Sequence, residues 1–183
     1  MLVSLQGMIA MTSEDFASEV VSSFICGKDD DIENFIKGKA VLFDRKGKSK
    51  THFLLDEDAL LDGIIEIVGF FSLAIQLLKI PEGTTITQIR RLDGLYSRKG
   101  GDPITEIPAF LIGQLAKNDK YTKVFPGKTL LEYALSAIAE AERVVGGRVA
   151  YVECRDIPEL ISFYGQNGFK TLRRDPSDGL VQI

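Results

Sequence analysis

The stretch from Ile107 to Leu135, IPAFLIGQLAKNDKYTKVFPGKTLLEYAL, constrains this chain more than any other. It opens on an apolar run, Ile107 to Ala116, long enough for a buried strand. A polar loop follows, carrying the lysines Lys117, Lys120, Lys123 and Lys128. Gly127 then starts a helix whose apolar residues Leu131, Leu135 and Ile138 fall at steps of four and three. The first amides of a helix have no partners inside it and carry partial positive charge. Strand, basic loop and helix N-terminus together therefore make a place to hold an anion.

Composition narrows the setting. A chain of 183 residues is expected to form a single domain, 1–183, around a sizeable core. Its net charge of −4 gives no general attraction to nucleic acid or membrane. No apolar run approaches the roughly 20 residues of a membrane span. The opening MLVSLQGMIAMTSEDF lacks the basic start of a secretion signal, so the expectation is a cytoplasmic protein with no membrane contact. Cys26 and Cys154 are far apart and are expected to be reduced. His52 is the only histidine, and with two separated cysteines it cannot build the usual zinc site, so no metal is expected. A Ser–His–Asp or Cys–His arrangement would have to use His52, which no motif marks; it reads as a plain strand residue.

Along the chain, Phe16, Val20 and Phe24 recur every four residues and predict a helix over 14–24. Asp29, Asp30 and Asp31 read as a cap for a helix over 32–41, with Ile32, Phe35, Ile36 and Ala40 on one face. Consecutive aspartates do not readily converge on one ion, which weighs against a metal site there. A polar turn containing Gly47 leads to a strand over 51–55. A second strand over 64–75 contains Gly69, a bulge or a point of close approach. The two read as antiparallel neighbours joined by a loop over 56–63. The order from 81 to 103 is unclear. It holds Arg90, Arg91, Arg98 and Lys99 around Tyr96, either a solvated loop or a contact for an anionic substrate or RNA. Gly146 and Gly147 stop the long helix near Val145. A strand over 148–154 follows, then a helix over 158–166 with Asp156 as its N-cap and Asn167-Gly168 as its end. Strands over 169–173 and 180–183 flank a turn at 175–179. Helices first, then strands, then β-α-β-α-β-β indicate an α/β (α+β) domain: a mixed central sheet flanked by helices.

Gly127-Lys128-Thr129 matches only the end of a P-loop, because Thr122 stands where its first glycine belongs. A larger pattern fits better. The strand, loop and helix from Leu111 to Leu131 are followed by Val149-Ala150-Tyr151-Val152-Glu153-Cys154. Phe163-Tyr164-Gly165-Gln166-Asn167-Gly168-Phe169 comes next, an FYxxxGF motif. Upstream lie Phe24-Ile25-Cys26-Gly27, Phe35-Ile36 and Ile67-Val68-Gly69-Phe70-Phe71-Ser72-Leu73. In this order they resemble the GNAT N-acetyltransferase family, in particular the branch that includes bacterial toxins acetylating aminoacyl-tRNA.

The resemblance implies a GNAT acyl-CoA N-acyltransferase fold and acetyl-CoA as cosubstrate. It implies that Leu115, Ala116 and Lys117 pair through backbone with the pantetheine arm, as an added strand would. The pyrophosphate would meet Lys123, Val124, Phe125, Gly127 and Lys128 at the helix start. Tyr164 is implied as the general acid, protonated at neutral pH because a tyrosine titrates near 10. Glu106 and Glu153 are candidate bases. The acceptor is a primary amine on a small molecule, a protein or a charged tRNA; Arg90, Arg91, Arg98 and Lys99 would contact the last. A homodimer and an antitoxin partner stay open. The chain departs from the family's loop, [Q/R]-x-x-G-x-[G/A]. Thr122 replaces the first residue, Phe125 a glycine, and Pro126 removes an N–H. Ile157 stands where an asparagine often precedes the tyrosine. These departures support a second reading, a GNAT-like module that binds CoA without turnover.

Overall fold

The computed structural model describes residues 1–98, 100–121, 123, 125–175 and 179–183. Its first elements are β1 (Leu2–Ser4), α1 (Leu5–Met11), α2 (Glu14–Ser22), α3 (Asp30–Gly38), α4 (Ala40–Arg45), β2 (Lys50–Leu55) and α5 (Glu57–Leu61). Then come β3 (Ile67–Lys79), α6 (Ile86–Asp93), β4 (Glu106–Lys117), a 3-10 turn (Asp119–Tyr121) and α7 (Gly127–Val145). The chain ends with β5 (Ala150–Arg155), α8 (Pro158–Gln166), β6 (Arg173–Asp175) and β7 (Leu180–Gln182). The sheet order is β1-β2-β3-β4-β5-β7-β6. β4 and β5 pair parallel, with α7 as the connection such a pair needs. The pairs β1–β2, β2–β3, β5–β7 and β6–β7 are antiparallel. The expected mixed sheet with helices is therefore present.

The chain divides into two compact units, with the divisions falling inside β3, β4 and α7. The first holds Met1–Ala74 and Gly113–Ser136. Its core is aromatic: Phe24 meets Phe70 edge-on at 5.0 Å, and Phe35 stacks on Phe70 at 6.5 Å. Each such ring, fully buried, contributes about 1.5–3 kcal/mol. α2 turns Ala17, Val20 and Val21 inward, and Phe24 just beyond it is buried too; Phe16, expected on that face, is exposed. Asp29 caps α3 as expected, accepting from the Asp31 amide at 3.1 Å. The helix expected over 32–41 breaks into α3 and α4 at Gly38 and Lys39, because glycine disfavours a helix interior. The region expected as a loop over 56–63 contains α5, started by Asp56, which accepts from the amides of Asp58 and Ala59. β3 begins at Ile67, three residues later than expected, and Ile67 to Ser72 are all buried.

The second unit holds Ile75–Ile112 and Ala137–Ile183. Leu78, Ile104, Ile107, Ala109, Leu111 and Tyr151 form its core, with Ile89 and Leu92 of α6 packed against them. α6 lies where the order was unclear. A capping box starts it, with Thr85 and Gln88 each accepting from the other's backbone. Gly146 and Gly147 end α7 at positive φ, and at Gly147 a Cβ would stand 2.5 Å from the Phe110 ring. Asp156 is not the N-cap of α8. Ile157 occupies that position, and the Asp156 carboxylate is drawn instead to Arg174. The strand expected over 169–173 is reduced to β6, because Phe169 folds back onto α8.

Candidate active site

The loop between β4 and α7 belongs to the first unit. Asn118, buried where β4 ends, takes part in four bonds, one of them its carbonyl accepting from the Tyr121 amide at 2.9 Å. Its amide donates to the Val68 carbonyl at 3.0 Å, and its side-chain Nδ2 to the Ile67 carbonyl at 2.9 Å. Its Oδ1 accepts from the Lys120 amide at 3.2 Å. Asp119 donates its amide to the Ile25 carbonyl at 2.9 Å, and its carboxylate accepts from the Gly27 amide at 2.8 Å. The Phe-Ile-Cys-Gly segment is thus what the loop rests on. Burial, with Asp119 and Asp29 nearby, raises the Cys26 thiol above its ordinary range, so it stays protonated and is a poor nucleophile.

Phe125 explains its own departure from the glycine pattern. A Cβ on Gly69 would lie 3.0 Å from the end of the Phe125 ring and 3.2 Å from the Ala116 carbonyl. Gly69 is therefore a point of close approach: its missing side chain is the space the ring uses. Lys117 closes the other side, donating from Nζ to the Phe125 carbonyl at 2.8 Å, with Nζ 5.3 Å from the ring centre. Its ammonium helps to hold the loop. Lys123 is exposed, and Lys128 is exposed within 3.4 Å of Glu132. Val124 lies outside the described residues. Leu115, Ala116 and Lys117 lie past the last β4–β5 pair, Ile112 with Val152.

This end of α7 suits an anion. Like α1, α4 and α6, α7 carries no acid in its first turn. Nineteen residues of helix, begun by Gly127 and Lys128, leave its dipole open to negative charge. Lys120, Lys123 and Lys128 are the exposed lysines of this segment.

Tyr164 belongs to the second unit and is buried. Gly168, at φ 89°, ends α8 in the left-handed region. Its amide donates to the Gly165 carbonyl at 3.1 Å, and the Phe169 amide to the Tyr164 carbonyl at 3.1 Å. These two bonds are a Schellman cap, and its usual apolar contact is the Tyr164–Phe169 ring pair at 5.6 Å. The FYxxxGF spacing is thus a helix-ending device that also fixes one tyrosine. Phe163 and Phe169 are only half-buried. Burial pushes the Tyr164 hydroxyl far above the ordinary tyrosine range, with Cys154 adding to it. A group so held keeps its proton at neutral pH, as a general acid requires. Of the candidate bases, Glu106 is half-buried where β4 starts, and Glu153 is exposed and accepts from Gln182 at 2.7 Å.

His52 lies in β2, stacked on Phe71 at 5.0 Å, and burial lowers its pKa. Among the described residues no group of acids, cysteines and histidine could hold a metal ion. No helix of the described chain is long and apolar enough to cross a membrane.

No protein-family model and no curated protein matches the sequence. Solved structures do match. AtaT complexed with acetyl-methionyl-tRNAfMet superposes at a TM-score of 0.71 and 17% identity, covering 100% of this chain and 93% of that one. This is the GNAT acetyltransferase fold. A tyrosine-to-phenylalanine mutant of KacT matches the same GNAT fold at a TM-score of 0.72 and 17% identity, with coverages of 100% and 93%. An AtaT mutant toxin bound to the C-terminus of the antitoxin AtaR and acetyl-CoA gives 0.62 at 16% identity, over 89% and 84%. The GNAT fold expected from the order of strand, loop, helix and FYxxxGF is the one observed.

Proposed function

We propose that this chain transfers an acetyl group from acetyl-CoA to a primary amine. The reading is carried by a GNAT fold over the full chain with a buried, protonated Tyr164 at its FYxxxGF motif. Acetyl-CoA supplies the acetyl group as a thioester. The backbone of Leu115, Ala116 and Lys117 receives the pantetheine arm as an added strand. Amides from Phe125 to Lys128, with the charges of Lys123 and Lys128, hold the pyrophosphate. Pro126 contributes none, so helix α7 carries more of the load than in a glycine-rich loop. Tyr164 keeps a proton for the departing sulfur.

The acceptor is the amino group of a charged tRNA, a reading supported by the AtaT structure with acetyl-methionyl-tRNAfMet. Arg90, Arg91 and Arg98 are exposed and contact the RNA, together with Lys99, which lies outside the described residues. The protein works as a cytoplasmic bacterial enzyme of one domain, open to self-association and to an antitoxin partner.

Acetyl-CoA tests this directly. A ligand at a hundred times its Kd stabilises the native state by about 2.7 kcal/mol, worth roughly 5–10 °C of melting temperature at this size. No shift at millimolar acetyl-CoA sinks the proposal. The positions of Phe125 and Pro126 favour one other reading, a binding module without turnover. A melting shift with no acetylation of charged tRNA or of any amine would establish it.

A further inference from the structure

Helix α6 and the turn after it present a surface that the second unit's own packing does not consume. No α6 residue is fully buried; Ile89 and Leu92 face the core, while Arg90 and Arg91 are exposed. Gly94, at φ 96°, ends the helix, its amide donating to the Arg90 carbonyl at 2.9 Å. The Asp93 carboxylate accepts from the Leu95 amide at 3.2 Å. That turn sends Leu95 and Tyr96 outward, 64% and 49% exposed. The guanidinium of Arg90 lies over the Tyr96 ring, 4.6 Å from its centre.

Past Tyr96 a hydrogen-bonded turn follows, with Arg98 and residues 100–103 exposed. Ser97 bridges Pro103, the Arg98 amide donates to the Asp102 carbonyl at 2.9 Å, and the Gly101 amide to the Arg98 carbonyl at 3.0 Å. Arg98 thus sits at a tight turn. From the start of β5's approach, Arg148 lays its guanidinium beside Gly94, its Nε 3.5 Å from where a Cβ would stand. The exposed Tyr96 ring therefore has Arg90 over it, in a segment that also carries the exposed Arg91 and Arg98, with Arg148 against Gly94. Between residues 86 and 103 the acids are only Asp93 and Asp102, and Asp93 is turned to the Leu95 amide. The patch is cationic on a chain whose net charge is −4.

An arginine over an exposed ring is attracted to its face and favours one ring orientation. A fixed ring in such an arginine-rich segment matches an unpaired nucleobase, which stacks on the ring's face while its phosphates meet the cations. An anionic membrane would want a continuous apolar face beside the charges. Here the exposed side of α6 carries one apolar residue, Ile86, among Thr87, Gln88, Arg90 and Arg91, which is not a continuous apolar face.

We infer that Tyr96, oriented by Arg90, is a stacking platform for an unpaired base of an RNA, with Arg91, Arg98 and Arg148 on the flanking phosphates. The inference rests on the charged-tRNA reading and states where that RNA is gripped. Stacking of this kind tolerates any base.

The test is fluorescence anisotropy with a labelled unstructured RNA hexamer. Tyr96→Ala should weaken binding about tenfold, the loss of one stacked base. Tyr96→Phe should bind like the parent. The salt dependence should be unchanged in Tyr96→Ala, whereas Arg91→Ala should reduce its slope by about 0.7. A hexamer of abasic ribose-phosphate should bind the parent and Tyr96→Ala equally. Equal binding of the base-bearing hexamer by parent and Tyr96→Ala overturns the inference. So does a parent that ignores RNA but binds anionic vesicles or an acidic peptide. The acetyl-CoA melting shift, measured on the same samples, separates the two claims. A shift with Tyr96-independent RNA binding removes the platform and keeps the transferase; Tyr96-dependent binding with no shift does the reverse.

Discussion

The end of α8 and the loop before α7 carry the two halves of the proposed chemistry, and they are held in opposite ways. Around Tyr164 the bonds are local: Gly168 to Gly165 and Phe169 to Tyr164. The loop is fastened from far along the chain. Asn118 reaches Ile67 across 51 residues, and Asp119 reaches Gly27 across 92. The local device depends on the FYxxxGF spacing, because any change breaks its own cap. The loop lacks the glycines of the GNAT pattern, and Gly69, Lys117 and Asn118 hold its described residues from outside. A motif that builds itself must be kept as a motif. A loop braced by its surroundings can change sequence if the braces change with it.

The comparison is open to attack at each end, and Tyr164→Phe should have the largest effect. It keeps the ring that meets Phe169 and the carbonyl that accepts the Phe169 amide, and removes only the hydroxyl. Turnover should fall by about 10²–10⁴ with acetyl-CoA affinity nearly intact. Unchanged turnover in steady-state kinetics would leave the α8 end a purely structural cap.

Gly69→Ala comes next. The new methyl meets the Phe125 ring and a backbone carbonyl, and such overpacking costs about 1–3 kcal/mol. Denaturant unfolding should show that loss, together with weaker acetyl-CoA binding. Adding Phe125→Leu should restore part of both. No recovery would mean that ring and glycine are not coupled.

Gly168→Ala tests the local device. A side chain in the left-handed region costs about 1–2 kcal/mol, and Gly168→Asn should cost less because asparagine tolerates that region. Equal melting temperatures for all three proteins would dismiss the cap.

The smallest effect is alkaline. Burial raises the Tyr164 pKa, so folded and unfolded chains both hold its proton below about pH 10. Above that the unfolded chain releases it while the folded chain does not, and stability is lost as pH rises, by roughly 0.5–1 kcal/mol at pH 10.5. Tyr164→Phe should flatten this slope in melting curves from pH 8 to 11. Some slope should remain, because burial and Glu153 also raise Tyr151.

Much of this protein follows from short-range rules that act within a few residues. The apolar run of β4, the Asp29 cap, the glycines ending α7 and the Asn167-Gly168 stop on α8 are local choices, and they stand as the sequence implies. α6 was legible too, through Thr85 and Gln88, but its apolar spacing is too sparse to announce a helix beside so many cations. Other outcomes depend on partners that no local pattern names. Asp156 has the chemistry of a cap and goes to Arg174 instead, because a cation 18 residues on competes for its carboxylate. Phe125 looks like damage to a phosphate loop until Gly69, more than fifty positions earlier, is seen to leave room for its ring. Sequence by itself determined β4, α7, β5 and α8 and the order that identifies the fold, though not β1, α1, α5 or α6. Only the tertiary structure decided how the loop is held, because that is settled by close packing between residues far apart in the chain.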